Sequence, residues 1–370
     1  MSTTGREQTS APAPSDVAAS LREATFVRLV SDATGDALAG TGVLARALDA
    51  AGTPFQASVV GPFADPDRTT EADATVALGP GHSTGDHTLS VSPAATAFDI
   101  ARELGSGADP VLALAGTLAG GDADGTVAEA AEQAGVERRP GVAVPVADLV
   151  DGLAHTTLVS GPFSGDEARV QAMLADLDLG TEPSADDHRR LASLVALDVT
   201  ADTSPGAADA VARLLHPYVG GPFETVGGYA DVLDAVARER PGVGIALALG
   251  HESVHGAALS AWRDHARRAH TAVAEATTGR YDGLFVARGD AMPVATVARL
   301  IAQFHAPEAV TLVVTDGEAA VRAVDGRDVA DAMRRATDAV GGTTVGRGDR
   351  ARARFDVPTS DLIEAFREAV

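Results

Sequence analysis

The segment Ser31-Asp32-Ala33-Thr34-Gly35-Asp36-Ala37-Leu38 carries two carboxylates four residues apart beside a glycine. Carboxylates at the end of a first strand stand where open α/β sheets bind ligands, and a pair of them could hold a divalent metal for phosphate chemistry. The same residues also read structurally, as an Asp-Gly turn with Asp36 capping the next helix. A second chemistry-bearing segment is Arg347-Gly-Asp-Arg350-Ala-Arg352-Ala-Arg354. Four arginines less Asp349 give this window +3. As a strand it would place Arg350, Arg352 and Arg354 on one face. Such a stripe can follow a phosphate backbone, because the planar guanidinium fork suits phosphate oxygens. It can equally be charge on an edge strand that blocks aggregation.

The elements that must position these residues alternate between strand and helix. Residues 1–20, polar and containing Ala-Pro-Ala-Pro, read as a disordered tail. Ala24–Val30 reads as a buried strand, Ala37 to Ala51 as a helix ended by Gly52, and Phe55–Val60 and Thr75–Leu78 as further strands. Pro93–Leu104 and Pro110–Ala119 read as helices with proline in the first turn. This alternation predicts a mostly parallel sheet covered on both faces. The pattern then turns helical, with Asp186–Leu197, Ala207–Leu215, Tyr229–Arg240 and an alanine-rich helix from Arg263 to Thr277. A second α/β unit follows: strands at Gly283–Ala287, Ala309–Thr315 and Arg350–Asp356, helices at Met292–His305, Val329–Val340 and Ser360–Ala369. The expected division is a tail (1–20), an α/β domain (21–180), a helical connector (181–278) and a smaller α/β domain (279–370). Gly-Pro-Phe recurs at 61, 161 and 221 with unmatched neighbours, and reads as a turn preference.

Composition narrows the setting. Fifty-two acidic residues oppose 29 basic ones, all of them arginine, for a net charge of −23. Excess acid without lysine, with much alanine and little aromatic content, reads as a protein from salt-saturated cytoplasm, the alternative being an acidic protein from a GC-rich mesophile. At molar salt a Debye length of roughly 3 Å screens self-repulsion. The negative charge therefore does not exclude a nucleic-acid partner. The absence of cysteine excludes disulfides, zinc ribbons and thiol catalysis. No stretch nears the roughly 18 consecutive apolar residues of a membrane span, and the amino end has no apolar signal region, so a cytoplasmic location is expected. His265 and His270, five apart on one helix, point to different faces and do not suggest a metal site. Trp262 reads as packing, and His155, His216, His251 and His305 as ordinary residues.

The first segment resembles the opening motif of the DHH phosphoesterase superfamily, particularly its RecJ-like nucleases, where a strand ends in Asp-x-Asp-Gly-Asp. Asp32, Gly35 and Asp36 match, while Thr34 stands where the middle aspartate belongs. Thr75-Val-Ala-Leu-Gly79 resembles the second motif, with Ala77 in the aspartate position. Gly85-Asp86-His87-Thr88 resembles the name-giving Asp-His-His, with Thr88 replacing the last histidine. Leu112–Gly120 resembles the fourth motif, with glycine at or beside its aspartate. The carboxyl-terminal part resembles the DHH-associated domain, Gly341-Gly342 falling where its glycine-rich loop would lie. The resemblance spans most of residues 24–370.

What the resemblance implies is a pair of α/β domains with a cleft for a single strand, and in active members two Mn2+ or Mg2+ ions. Asp32, Asp36 and Asp86 would be the remaining metal ligands, and with His87 the remnant catalytic set. Thr34, Ala77, Thr88 and Gly120 mark lost ligands. Asp122 or Asp124 could swing into the place left by Gly120, with His82 joining from the loop. Gly341, Gly342, Arg347, Arg350, Arg352 and Arg354 would contact nucleic acid. The leading expectation is a degenerate RecJ-like protein that binds single-stranded DNA or RNA, or replication and repair partners such as GINS, without full two-metal catalysis. Alternatives are an active Mn-dependent single-strand exonuclease and a hydrolase of small phosphoesters.

Overall fold

The computed structural model describes residues 13–64, 71–81, 85–105, 107–121, 123–175, 177, 184–200 and 207–370. Residues 14–20 depart from the expected tail. Pro14–Glu23 is helix α1, opened by a first-turn proline, and it buries Val17, Ala18 and Leu21. The Ala-Pro composition hides an apolar i, i+4 stripe that only a partner surface makes visible.

Strand β1 (Val27–Asp32) leads into helix α2 (Gly35–Ala51), followed by strands β2 (Phe55–Val60), β3 (Ala74–Leu78) and β4 (His87–Leu89). All four run parallel in the order β2-β1-β3-β4. Helices α3 (Pro93–Leu104), α4 (Pro110–Gly120) and α5 (Gly125–Gln133) come next, and α1 packs on α3. Helix α2 is rich in glycine and alanine because it is crowded. A Cβ on Gly42 would lie 2.7 Å from the Ala248 carbonyl oxygen, so a larger residue would force the neighbouring helix away.

The middle of the chain is helical. It contains a short strand β5 (Glu137–Arg138), helices α6 (Leu149–His155), α7 (Glu167–Ala175), α8 (Ala185–Thr200) and α9 (Ala207–Leu215), and strand β6 (Tyr218–Val219), which pairs with β5. Helices α10 (Val226–Glu239) and α11 (Pro241–Ala248) pack on α2, and a 3-10 turn at Glu252–Val254 precedes α12 (His255–Glu275). The expected helix from Arg263 to Thr277 thus begins about two turns earlier, at His255, and Thr277 already belongs to a strand. Trp262 is fully buried on α12, and its indole N–H donates to Asp231 at 2.9 Å. Asp231 also accepts from the Thr157 amide (2.9 Å) and hydroxyl (2.5 Å) and from the Thr156 hydroxyl (3.1 Å). One buried carboxylate thereby ties α10 and α12 to the 156–157 loop.

Strands β7 (Thr277–Tyr281), β8 (Leu284–Arg288), β9 (Val310–Thr315), β10 (Glu318–Ala323), β11 (Thr343–Arg347) and β12 (Arg350–Arg354) form a second sheet, with helices α13 (Val294–Phe304), α14 (Ala330–Val340) and α15 (Thr359–Ala369). Its order is β11-β12-β10-β9-β8-β7, and only the β8–β9 pair is parallel. Helices α14 and α15 cover one face through Met333, Leu362 and Phe366. Helix α13 covers β9 and β10 on the other face and shares its apolar cluster with α6 through α9. It leaves the β12 side of that face to other neighbours.

Candidate functional site

Asp32 ends β1 with a side chain only 8% exposed, and the amide of Gly81 donates to its Oδ2 at 2.7 Å. The loop after β3 closes over this carboxylate. A Cβ on Gly79, whose φ is +110°, would lie 2.3 Å from Asp32 Oδ2, so glycine is required twice over, by conformation and by space. Thr34 is the N-cap of α2, its hydroxyl accepting from the Ala37 amide at 3.4 Å. Asp36 therefore does not cap its own helix. Its Oδ1 accepts from the Ala94 amide at 2.9 Å, in the first turn of α3. Burial pushes its pKa up to about 6, against the opposing pull of the Ala94 amide and of Arg350, with Asp234 adding to the rise. Gly120, at the end of α4, faces this carboxylate, since a Cβ there would lie 2.8 Å from Asp36 Oδ2.

Asp86 and His87 do not join this pair. In the parallel register Val76 stands beside both Leu29 and His87. His87 is therefore three residues short of Asp32 along the strand direction and Asp86 four, or about 10 and 13 Å at 3.3 Å per residue. Asp86 instead accepts from the Thr75 amide at 2.8 Å, at the amino edge of the sheet. The residues that follow β4 at the carboxyl edge are Ser90-Val91-Ser92, with Val91 51% exposed and Ser92 held at φ +42°. Asp124 is also elsewhere, capping α5 through the amides of Thr126 and Val127. His82 and Asp122 lie outside the described residues.

A two-ion centre needs several anionic or imidazole donors around cations 3.5–4 Å apart. Among the described residues no three histidine, aspartate or glutamate side chains converge as metal donors. Among the described residues the carboxyl edge of the sheet offers Asp32 and Asp36, each already holding a backbone amide, while the neighbouring Asp234 accepts from the Gly35 amide at 3.0 Å and is paired with Arg238. This donor set does not fit a two-metal centre.

Facing the carboxylates is a wall of arginine. Ala351 and Ala353 of β12 point into the core under α14 and α15, so Arg350, Arg352 and Arg354 share the opposite face, as their alternation predicted. Cross-strand pairing sets Arg350 beside both Arg322 of β10 and Arg347 of β11, extending the same face. Glu318 is shared by Arg352 (3.4 Å) and Arg354 (3.5 Å), and Asp349 by Arg322 (3.1 Å) and Arg350 (4.0 Å). Two carboxylates thus serve four guanidinium groups. The Nε atoms of Arg322 and Arg352 are buried without a hydrogen-bond partner. Burial, reinforced by Arg350, Arg299 and Arg213, pushes the pKa of Arg322 down to about 10 although Asp349 opposes the shift. An anion placed on this face would relieve that crowding.

The wall meets the first sheet at Phe63, just past the end of β2. The guanidinium carbons of Arg354 and Arg352 lie 4.8 and 5.8 Å from its ring centre. Gly341 and Gly342 have local structural duties. Gly341, at φ +80°, is the left-handed C-cap of α14, and a Cβ on Gly342 would lie 2.6 Å from the Arg354 carbonyl oxygen. Sequence reasoning missed Arg322 because β10 went unrecognised, and missed Phe63 because its tripeptide read as a turn.

Residues 276–368 match the domain family described as "Uncharacterized protein rrnAC1427, C-terminal domain". Over 372 residues the chain is 71% identical to the protein rrnAC1427 of Haloarcula marismortui, with both chains covered completely. Among solved structures it resembles CDC45 from Entamoeba histolytica (9% identity, TM-score 0.60, covering 96% of this chain and 98% of that one). It also resembles RecJ in complex with Mg2+ from Thermus thermophilus (17%, 0.52, 96% and 51%), so the chain spans about half the length of that protein. A third likeness is to an exonuclease RecJ bound to manganese (14%, 0.52, 97% and 94%). Among the described residues no helix is long and apolar enough to cross a membrane. The full-length match and the shared architecture together place the chain in the family of Haloarcula marismortui rrnAC1427, built on the RecJ-like DHH superfamily fold.

Proposed function

We propose that this protein binds single-stranded DNA or RNA in the cleft between its two sheets and does not carry out full two-metal hydrolysis. The observation that supports this reading most directly is the opposition of two surfaces. Arg322, Arg347, Arg350, Arg352 and Arg354 present excess positive charge, across from a donor set that among the described residues is reduced to Asp32 and Asp36. In a chain of −23, a cationic face compensated only in part, by Glu318 and Asp349, is most simply explained by an anionic ligand. A fold that keeps its cleft and sheds its metal donors serves as a binding or assembly module. Likeness to CDC45 as well as to RecJ is consistent with a place in a replication or repair assembly, with GINS as one candidate partner.

The test uses protein purified in concentrated KCl, as the acidic, lysine-free composition and the Haloarcula relative recommend. End-labelled single-stranded DNA and RNA are incubated with and without Mn2+, with Asp32→Ala as the contamination control. Strand binding without metal-dependent cleavage is the expected result. Cleavage in Mn2+ that disappears in Asp32→Ala would overturn the proposal in favour of an active exonuclease. Turnover of mononucleotides or dinucleotides in preference to long strands would favour a small-phosphoester hydrolase.

A further inference from the structure

Three Gly-Pro-Phe tripeptides occur in the chain, and their phenylalanines have different fates. Phe163 is 1% exposed in the cluster formed with α13, and Phe223 is 9% exposed against Tyr229 and His255. Phe63 is only partly buried and belongs to none of the three apolar clusters of the described residues. Among the described residues its ring lies beside the guanidinium groups of Arg354 and Arg352. It follows β2, whose last residue, Val60, is in register with Asp32. Phe63 is thus at the carboxyl edge of the parallel sheet, beside the floor carboxylates and under the arginine wall.

We propose that Phe63 is a nucleobase-stacking residue of the cleft, resting on the reading above that the cleft binds a single strand. Charge sets the orientation. Asp32 and Asp36 repel phosphates unless cations neutralise them, and this donor set does not fit a two-metal centre, so the phosphates belong on the arginine wall. The bases then turn toward the first sheet, where Phe63 stands. The guanidinium groups of Arg354 and Arg352 hold the ring by cation–π attraction, and its partial exposure leaves surface for a base. Stacking of this kind tolerates any base, and it suits concentrated salt, where charge attraction to phosphates weakens. In a metal-dependent nuclease the phosphates would instead face the carboxylates; here the two sides of the strand exchange roles.

The experiment measures affinity by fluorescence anisotropy in concentrated KCl, using a labelled oligothymidylate and an abasic strand of equal length. Wild type, Phe63→Ala, Phe63→Trp and the triple variant Arg350→Ala/Arg352→Ala/Arg354→Ala are compared. Phe63→Ala is expected to weaken the oligothymidylate by about 10-fold, within the range for loss of one aromatic–base stack, and to leave the abasic strand unchanged. Phe63→Trp should retain affinity, and its indole emission should be quenched on binding, over the constant signal of buried Trp262. Equal loss for both strands, or no loss for either, overturns the stacking role. If the triple variant loses affinity while Phe63→Ala does not, the strand-binding reading stands and only the stacking role falls. If the wild type binds neither strand, both fall together.

Discussion

Asp36 offers the sharpest test of the site's electrostatics. Its carboxyl has a pKa of about 6 in the folded chain against 3.8 for an unperturbed aspartate, chiefly because burial disfavours the anion. The folded state therefore holds a proton that the unfolded state has released between these values. Stability from this group is fully present below about pH 4 and is lost as pH rises through 6. A shift of this size corresponds to about 3 kcal/mol at pH 8. Asp36→Asn keeps an oxygen to accept the Ala94 amide but cannot ionise. It should match the wild type at pH 4 and exceed it at pH 8 by up to about 3 kcal/mol. Salt will weaken the attraction of Arg350 for the anion but not the cost of burial, so concentrated KCl should preserve the effect. The assay is denaturant unfolding of both proteins at fixed KCl across this pH range. A gap between variant and wild type that does not change with pH would refute the reasoning, as would a variant less stable than wild type at pH 8.

Two further perturbations concern the scaffold. Asp231→Ala would leave the Trp262 indole N–H, the Thr157 amide and two threonine hydroxyls without their acceptor in a dry interior, an expected loss of about 3–5 kcal/mol. Denaturant titration followed by the fluorescence of Trp262, the sole tryptophan, would read it, and a loss below 1 kcal/mol would contradict the hub role. His270 is held neutral because burial lowers its pKa to about 4, so stability should be intact above pH 6.5 and fall as pH drops toward 4. His270→Gln should flatten that acid limb by up to about 3 kcal/mol relative to wild type, and parallel pH profiles would dismiss the group as the cause.

Much of the architecture was legible from local patterns. Phe55–Val60, Pro93–Leu104 and Ala207–Leu215 form the elements their periodicity and caps predicted, residue for residue. Proline in the first turn and a left-handed Gly105 bound the second of these without help from the rest of the chain. The elements that went unread depend on partners. Strand β11 has no fully buried residue and is held by its pairing with β12 and by α14, and β4 is three residues long. Helix α1 has the composition of a tail but is ordered by what Leu21 and Val17 bury.

The site divides along the same line. The carboxylates that end the first strand and the alternation of arginines and alanines are properties of neighbouring residues, and the amino-acid sequence alone determines them. So does the acidic, lysine-free charge balance. Only the tertiary structure decided which of these residues meet. Strand register moved Asp86 and His87 to the far edge of the sheet, a displacement that spacing in one dimension does not contain. The packing of α3 turned Asp36 from its own helix to another. Docking of the second sheet brought Arg350 toward Asp36 and closed Arg354 over Phe63, contacts between opposite parts of the chain. Short-range preferences shape each element, but the neighbours of a cleft residue come from packing between distant segments, which no local pattern encodes.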